Sequence, residues 1–240
     1  MSPYGRINIK GQIQQNIKNH LGPKIVVREL LQNADDSRAS KVKFLVKQDC
    51  FVAELNSEFS MCDESRISSD EEIDCVSKPR SCNMHQFQEI GRGEKEFDEE
   101  SIGQFGIGFL ALWQLALKIE LITKKTKCEI SWSEEKGLFH YRFTPALDSP
   151  DTPFTKFTFY FDLKGENKLR WKEEIQVFEI FDDHKRIELE KSLSEDIGDF
   201  IPFLRHIEEV EVRTTCAEVT WRKQLVEGEL TIERKSRADD

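Results

Sequence analysis

The sequence has no apolar run approaching the ~20 residues that a helix needs to cross a bilayer. Its opening Met1-Ser2-Pro3-Tyr4-Gly5 has none of the apolar character of a secretory signal. A soluble, cytoplasmic protein with no membrane partner is the expectation. There is no Cys-x-x-Cys: Cys50, Cys62, Cys75, Cys82, Cys128 and Cys216 are irregularly spaced, so neither a disulfide framework nor a zinc ribbon is indicated. Cys62, Cys75, Cys82 and His85 share one segment, but at separations that match no familiar zinc pattern. Positive charge is also in deficit. A formal net charge of −10 argues against a broad phosphate-backbone surface, and nucleic acid is not indicated as a partner. Internal repeats and low-complexity tracts are missing too.

What remains is a chain of 240 residues with 38% hydrophobic content, enough for one substantial core with at most a small appendage. Gly11 to His20 reads as a short polar helix closed by Leu21-Gly22-Pro23. From Lys24 to about Ser37 the apolar positions Ile25, Val26, Val27, Leu30, Leu31 and Ala34 recur at helical spacing, leaving Arg28, Glu29, Gln32, Asn33 and Asp36 as a polar stripe. Lys41 to Val46 and Cys50 to Leu55 read as a hairpin. Between about 57 and 101 the pattern dissolves into Ser, Asp, Glu and Lys, a long loop or lid of the kind that is usually functional.

The nearly all-apolar Leu110 to Leu117 reads as a buried helix. Ile119 to Thr123, Cys128 to Trp132, Leu138 to Phe143 and Phe154 to Leu163 read as strands, and Lys168 to Ser192 and Glu195 to His206 as helices. Val210 to Arg213, Ala217 to Arg222 and Glu229 to Glu233 make a closing meander, followed by a polar end. The sum is a helix layer on an antiparallel or mixed sheet.

Two elements carry chemistry. Glu29 and Asn33 lie one helical turn apart on one face. A carboxylate there can take a proton from a water attacking phosphorus, an amide oxygen can ligate Mg²⁺, and Asp36, a turn further on, can orient the metal's waters or an adenine. Alone, such a pair is commonplace on solvated helices. The second element is Gly103-Gln104-Phe105-Gly106-Ile107-Gly108-Phe109, where glycines bring backbone N–H groups close to a ligand at the start of a helix, an arrangement suited to phosphate. Its bland alternative is a tight turn. It is not the dinucleotide fingerprint, since no βαβ unit surrounds it.

Together and in this order the two elements are far more specific. Arg28 to Ser37 resembles the N-box of the GHKL ATPases, in particular the ninety-kilodalton heat-shock chaperone and the sacsin-type repeats. Ser101 to Phe109 resembles their phosphate-lid box, Ile90 to Lys95 the segment leading into the lid, and Phe154 to Thr158 the strand whose threonine closes the adenine pocket. The resemblance spans roughly Gly11 to Leu163. It implies an α+β fold, a Bergerat-type two-layer sandwich with helices packed on one face of a mixed, mostly antiparallel sheet. Residues 1–165 would form the ATP-binding core with its lid at about 57–101, and residues 166–240 an extension packed on the same domain.

Carried over by position, Glu29 is the general base, Asn33 the Mg²⁺ ligand, Gly103 to Phe109 the lid backbone, and Thr155 a neighbour of the adenine, with ATP and Mg²⁺ as cofactors. One departure matters. The family's Asp-x-Gly-x-Gly turn, whose aspartate accepts the adenine amino group, is missing. By spacing its counterpart is Glu54, with Asp63 as the alternative acceptor.

The resemblance implies a slow ATPase module that drives conformational change in attached domains or partner proteins, with lid- or nucleotide-dependent dimerisation as one form of assembly. The altered adenine turn keeps open an alternative, a pseudo-ATPase scaffold that binds a partner without turning over nucleotide. Histidine kinase activity is disfavoured, since no phospho-acceptor helix precedes the domain.

Overall fold

The computed structural model describes residues 22–60, 83, 113, 115–124, 126–133, 138–146, 154–164, 181–227 and 229–238. The first element is helix α1, Pro23–Asp36. Gly22 precedes it at φ 103°, a conformation that favours glycine, and Pro23 supplies the fixed φ that suits a first turn. Val26, Val27, Leu30, Leu31 and Ala34 are buried, the stripe that the spacing predicts. At its other end Arg38 adopts a left-handed φ of 60°. Its N–H donates to the Asp35 carbonyl at 2.8 Å, while that of Ala39 reaches the Ala34 carbonyl at 3.0 Å, which satisfies two carbonyls of the last turn.

Strands β1 (Lys41–Val46) and β2 (Cys50–Leu55) form the expected hairpin. Strands β3 (Ala116–Thr123), β4 (Thr126–Ser133), β5 (Leu138–Pro145) and β6 (Thr155–Phe161) follow. Helices α2 (Asp183–Glu195) and α3 (Ile197–Phe200) and a 3₁₀ turn, Ile201–Phe203, lead to β7 (Glu209–Arg213), β8 (Ala217–Val226) and β9 (Glu229–Ala238). The nine strands among the described residues join one sheet in the order β5-β4-β3-β6-β2-β1-β7-β8-β9. The pairing is antiparallel throughout except between β1 and β7, which run parallel. The fold is therefore α+β, a mixed and mostly antiparallel sheet with its helices packed on one face.

The core lies between that face and α1, α2 and α3. Phe44, Phe51 and Phe159 stack in sequence across β1, β2 and β6, with ring centroids 5.5 and 5.6 Å apart. Ile119, Leu121, Val210 and Val212 extend the layer from both sides. Alternate residues of the same strands point the other way and pair by charge: Lys156 with Glu54, Lys41 with Glu209, and Arg142 with Glu129. Among the described residues no helix is long and apolar enough to cross a membrane.

Three expectations are corrected. Ala116 and Leu117, read as the end of an apolar helix, belong to β3, where Ala116 pairs with Phe161 beside an irregularity in register. A short apolar run carries no period that separates strand from helix, and the available sheet partner decided it. Glu195 to His206 is not one helix: α2 stops at Glu195, α3 lasts four residues, and Pro202 stands in a 3₁₀ turn after which Leu204 is extended. The last strand does not stop at Glu233: β9 continues through the polar residues to Ala238 in register with β8. The predicted Gly11–His20 helix lies outside the described residues.

Candidate functional site

Helical periodicity places Glu29, Asn33 and Asp36 along one flank of α1, at the edge of its buried stripe. The Glu29 side chain is 15% exposed, and its carboxylate accepts from the Arg28 guanidinium at 3.0 Å. Asn33 is exposed and Asp36 half-buried.

Asp35, which sequence reasoning passed over, is the buried carboxylate of this helix. It accepts the main-chain N–H groups of Arg205, His206 and Ile207 at 2.9, 2.7 and 3.1 Å. Within Ala34-Asp35-Asp36-Ser37 nothing in the sequence distinguishes the two aspartates. Asp35 is the buried one because the segment 205–207 packs onto it, whereas Asp36 is half-buried on the flank shared with Glu29 and Asn33.

The second half of the site is the exit from β2. Thr155, the first residue of β6, is fully buried. Its hydroxyl donates to the Ser57 carbonyl at 2.7 Å and accepts the Phe59 N–H at 2.9 Å. Thr123, opposite Thr155 in the register of β3 and β6, accepts the same N–H at 3.3 Å and faces the Phe59 and Phe154 carbonyls, each at 3.3 Å. One residue on, the Ser60 N–H donates to the Asn83 side chain at 2.8 Å. The two halves meet where the Ser37 hydroxyl, just past the end of α1, lies 2.7 Å from the Ser57 hydroxyl.

The structure thus brings Glu29, Asn33 and Asp36 onto one margin and joins that margin to Thr155 through Ser37 and Ser57. Neither serine was singled out from the sequence, because their relation requires the turn after α1 to meet the exit of β2. Glu54 does not join them. It stands opposite Lys43 and Lys156 on the charged face of the sheet, 3.8 Å from the Lys156 ammonium, whereas Thr155 points to the helix face. The lid candidates Gly103, Gln104, Phe105, Gly106, Ile107, Gly108 and Phe109, the lid approach Ile90 to Lys95, the alternative acceptor Asp63, and Cys62, Cys75, Cys82 and His85 all lie outside the described residues. Among the described residues, no group of three or more His, Cys, Asp or Glu side chains is arranged to hold a metal by itself.

Fold and site define a module in which the polar flank of one helix is joined, through the exit of β2, to a buried threonine at the start of β6 in the interior of a mixed sheet. The chain belongs to the sacsin domain family, whose model matches residues 7–131, a little over half of its 240 residues. Human sacsin (Homo sapiens) is 31% identical over 90 residues, which is 38% of this chain and 2% of that protein, so the chain spans only a small fraction of the curated relative. Among solved structures it is similar to the N-terminal domain of a DNA repair protein at 13% identity and a TM-score of 0.45. That likeness covers 92% of this chain and 54% of the other and is too distant to bear on activity.

Proposed function

We propose that this chain is a nucleotide-binding module that holds Mg-ATP along the flank of α1 and hydrolyses it slowly, converting lid closure and release into movement of attached domains or partner proteins. The observation that supports this reading is the continuity of the polar margin. Glu29, Asn33 and Asp36 follow one another along α1, and the contact of Ser37 with Ser57 carries that line to Thr155 at the start of β6.

In this reading Glu29 takes the proton from the attacking water. Its carboxylate is largely screened from solvent and oriented by Arg28, as a positioned base requires. The exposed amide of Asn33 and the carboxylate of Asp36 one turn away offer the oxygen donors that Mg²⁺ prefers. One or two protein oxygens suffice, because phosphates and water complete its shell. Mg²⁺, when bound, neutralises charge on the phosphates. In this reading Gly103 to Phe109 would supply the backbone N–H groups for those phosphates, and Thr155 would mark the adenine end.

One observation favours the scaffold as a second reading. The Thr155 hydroxyl is already engaged in both directions by the main chain of Ser57 and Phe59. A protein that keeps the fold while turning over no nucleotide has no need of a free hydroxyl there.

Titration with Mg-ATP, followed by calorimetry and by thermal unfolding, separates the two. A ligand at ~100 times its Kd stabilises the fold by ~2.7 kcal/mol, seen as a clear rise in Tm. No binding heat and no shift with ATP, ADP or GTP at millimolar concentration would establish the scaffold reading instead.

A further inference from the structure

Among the described residues β9 is an outer strand of the sheet, paired with β8 over Glu229–Ala238 in unbroken register. Proteins commonly disarm such an edge with a proline, a bulge or a very short strand. β9 has ten residues, no proline and no bulge. Leu230 and its partner across the hairpin, Leu225, are 49% and 75% exposed.

The direction of hydrogen bonding alternates along a strand, which assigns the free side of β9. Lys223 of β8 turns its N–H to the Glu208 carbonyl, on the side of β7. Arg222 and Gln224 therefore face β9 and are met there by Glu233 and Thr231. Leu230, Ile232 and Arg234 are left with their main-chain N–H and C=O groups directed outward.

The charges of β9 complement themselves. Two copies of one strand can pair antiparallel about a two-fold axis, and residues equally distant from that axis then stand opposite one another. With the axis at Ile232, Glu229 of each copy faces Lys235 of the other, Leu230 faces Arg234, Thr231 faces Glu233, and no like charges meet. Moving the axis by one residue sets Glu233 against itself or against Glu229, and an axis at Arg234 sets that arginine against itself. In the single chain Glu229 stands opposite Val226, and Lys235 lies 3.1 Å from Glu233 of its own strand while remaining 62% exposed. The outer strand on the other side, β5, has no acidic residue and offers no such pattern.

We infer that β9 is a self-association edge, along which two copies of this chain join antiparallel about Ile232 and continue one sheet through a dimer. On the helix face the two Ile232 side chains meet at the axis. Leu230, with Leu225 beside it, lies against Arg234 of the second copy, the residue whose guanidinium covers Trp221 at 5.4 Å. The association uses none of the α1 site residues and needs no nucleotide.

Sedimentation velocity of the full chain without nucleotide, from micromolar to millimolar concentration, is expected to show a monomer–dimer equilibrium. Glu229→Lys or Lys235→Glu alone places like charges across the axis on both sides of it and should weaken the dimer about tenfold or more, the scale of two ion pairs replaced by repulsion. The double variant Glu229→Lys with Lys235→Glu restores opposite charges and should regain wild-type association. Leu230→Pro deletes an outward N–H but no hydrogen bond to β8, so it should give a monomer with nearly wild-type Tm. If that variant fails to fold, the charge series still decides.

A wild type that stays monomeric throughout, or that dimerises only with Mg-ATP, overturns the assignment. So does a dimer unmoved by the single reversals, or a double variant that associates no better than they do. Nucleotide affinity of the same proteins is a separate measurement, and the nucleotide-binding reading stands or falls on that alone.

Discussion

The carboxylate of Asp35, at the end of α1, accepts the main-chain N–H of His206 at 2.7 Å, tying the first described helix to the segment that enters β7. The neighbouring N–H groups of Arg205 and Ile207 share the same carboxylate, and Asp35 is only 1% exposed. A buried charge of this kind is tolerated where donors surround it, and removing it leaves the donors unsatisfied.

Asp35→Ala is accordingly expected to destabilise the fold by ~3 kcal/mol or more. Asp35→Asn keeps one acceptor oxygen and should cost less. Urea unfolding of the three proteins gives the order directly. If the alanine variant matched wild type in midpoint, the clamp would have no energetic role.

Gly198, in α3, is packed against the indole of Trp221. A Cβ built there would stand 2.7 Å from one ring carbon and 2.8 Å from the next, inside any permitted contact. The indole is buried, and Arg234 covers its ring at 5.4 Å, so it has little room to retreat. Gly198→Ala should lower stability by ~1–3 kcal/mol, the usual cost of overpacking. Trp221 fluorescence in the folded state should change in parallel. An unaltered spectrum and Tm would show that α3 shifts freely.

Glu209 links three strands. Its carboxylate meets Arg222 of β8 at 2.6 Å and Lys41 of β1 at 3.2 Å, with the side chain 12% exposed. The hydrogen bond from Arg222 leads in holding this carboxyl below the ordinary 4.5, with Lys41 acting in the same direction against the effect of burial. A carboxyl depressed in the folded state stabilises it at all pH values above the unfolded value, and that stability is lost as pH falls through the folded value. Glu209→Gln should therefore be less stable than wild type near neutrality. The difference should close on acidification below about pH 4, where the unfolded chain takes up the proton first. Unfolding midpoints of both proteins across this range decide it. A gap that stays constant with pH would assign the loss to packing instead of charge.

Two substitutions divide the roles proposed for α1. Glu29→Ala should abolish turnover while nucleotide binding survives, because the phosphate contacts remain. Asn33→Ala should weaken binding in the presence of Mg²⁺ and leave Mg²⁺-free binding unchanged. Equal loss of binding and turnover in a folded Glu29→Ala protein would remove Glu29 from the base role. An affinity in Asn33→Ala that keeps its full dependence on Mg²⁺ would likewise remove Asn33 from the metal.

Local pattern determined much of this protein by itself. The period of Val26, Val27, Leu30, Leu31 and Ala34 specified α1 and set Glu29 and Asn33 on one flank, because a helix repeats every 3.6 residues whatever surrounds it. The alternating Phe157-Thr158-Phe159-Tyr160-Phe161 and the hairpin of β1 and β2 were legible for the same reason: side chains of a strand alternate between two faces. Membership of the sacsin family was legible in the order of the Arg28–Ser37 and Ser101–Phe109 motifs.

What no local pattern contains is partnership between distant segments. Which aspartate is buried depended on where residues 205–207 come to rest, and the fate of Ala116 and Leu117 depended on β6 lying alongside. Glu54 matched the missing aspartate in spacing yet faces Lys156, because a strand places adjacent residues on opposite faces of the sheet and only the assembled sheet shows which face carries the helices. The meeting of Ser37 with Ser57 is of the same kind. Each is an ordinary serine in its own segment, and packing the end of α1 against the exit of β2 brings their hydroxyls within hydrogen-bonding distance.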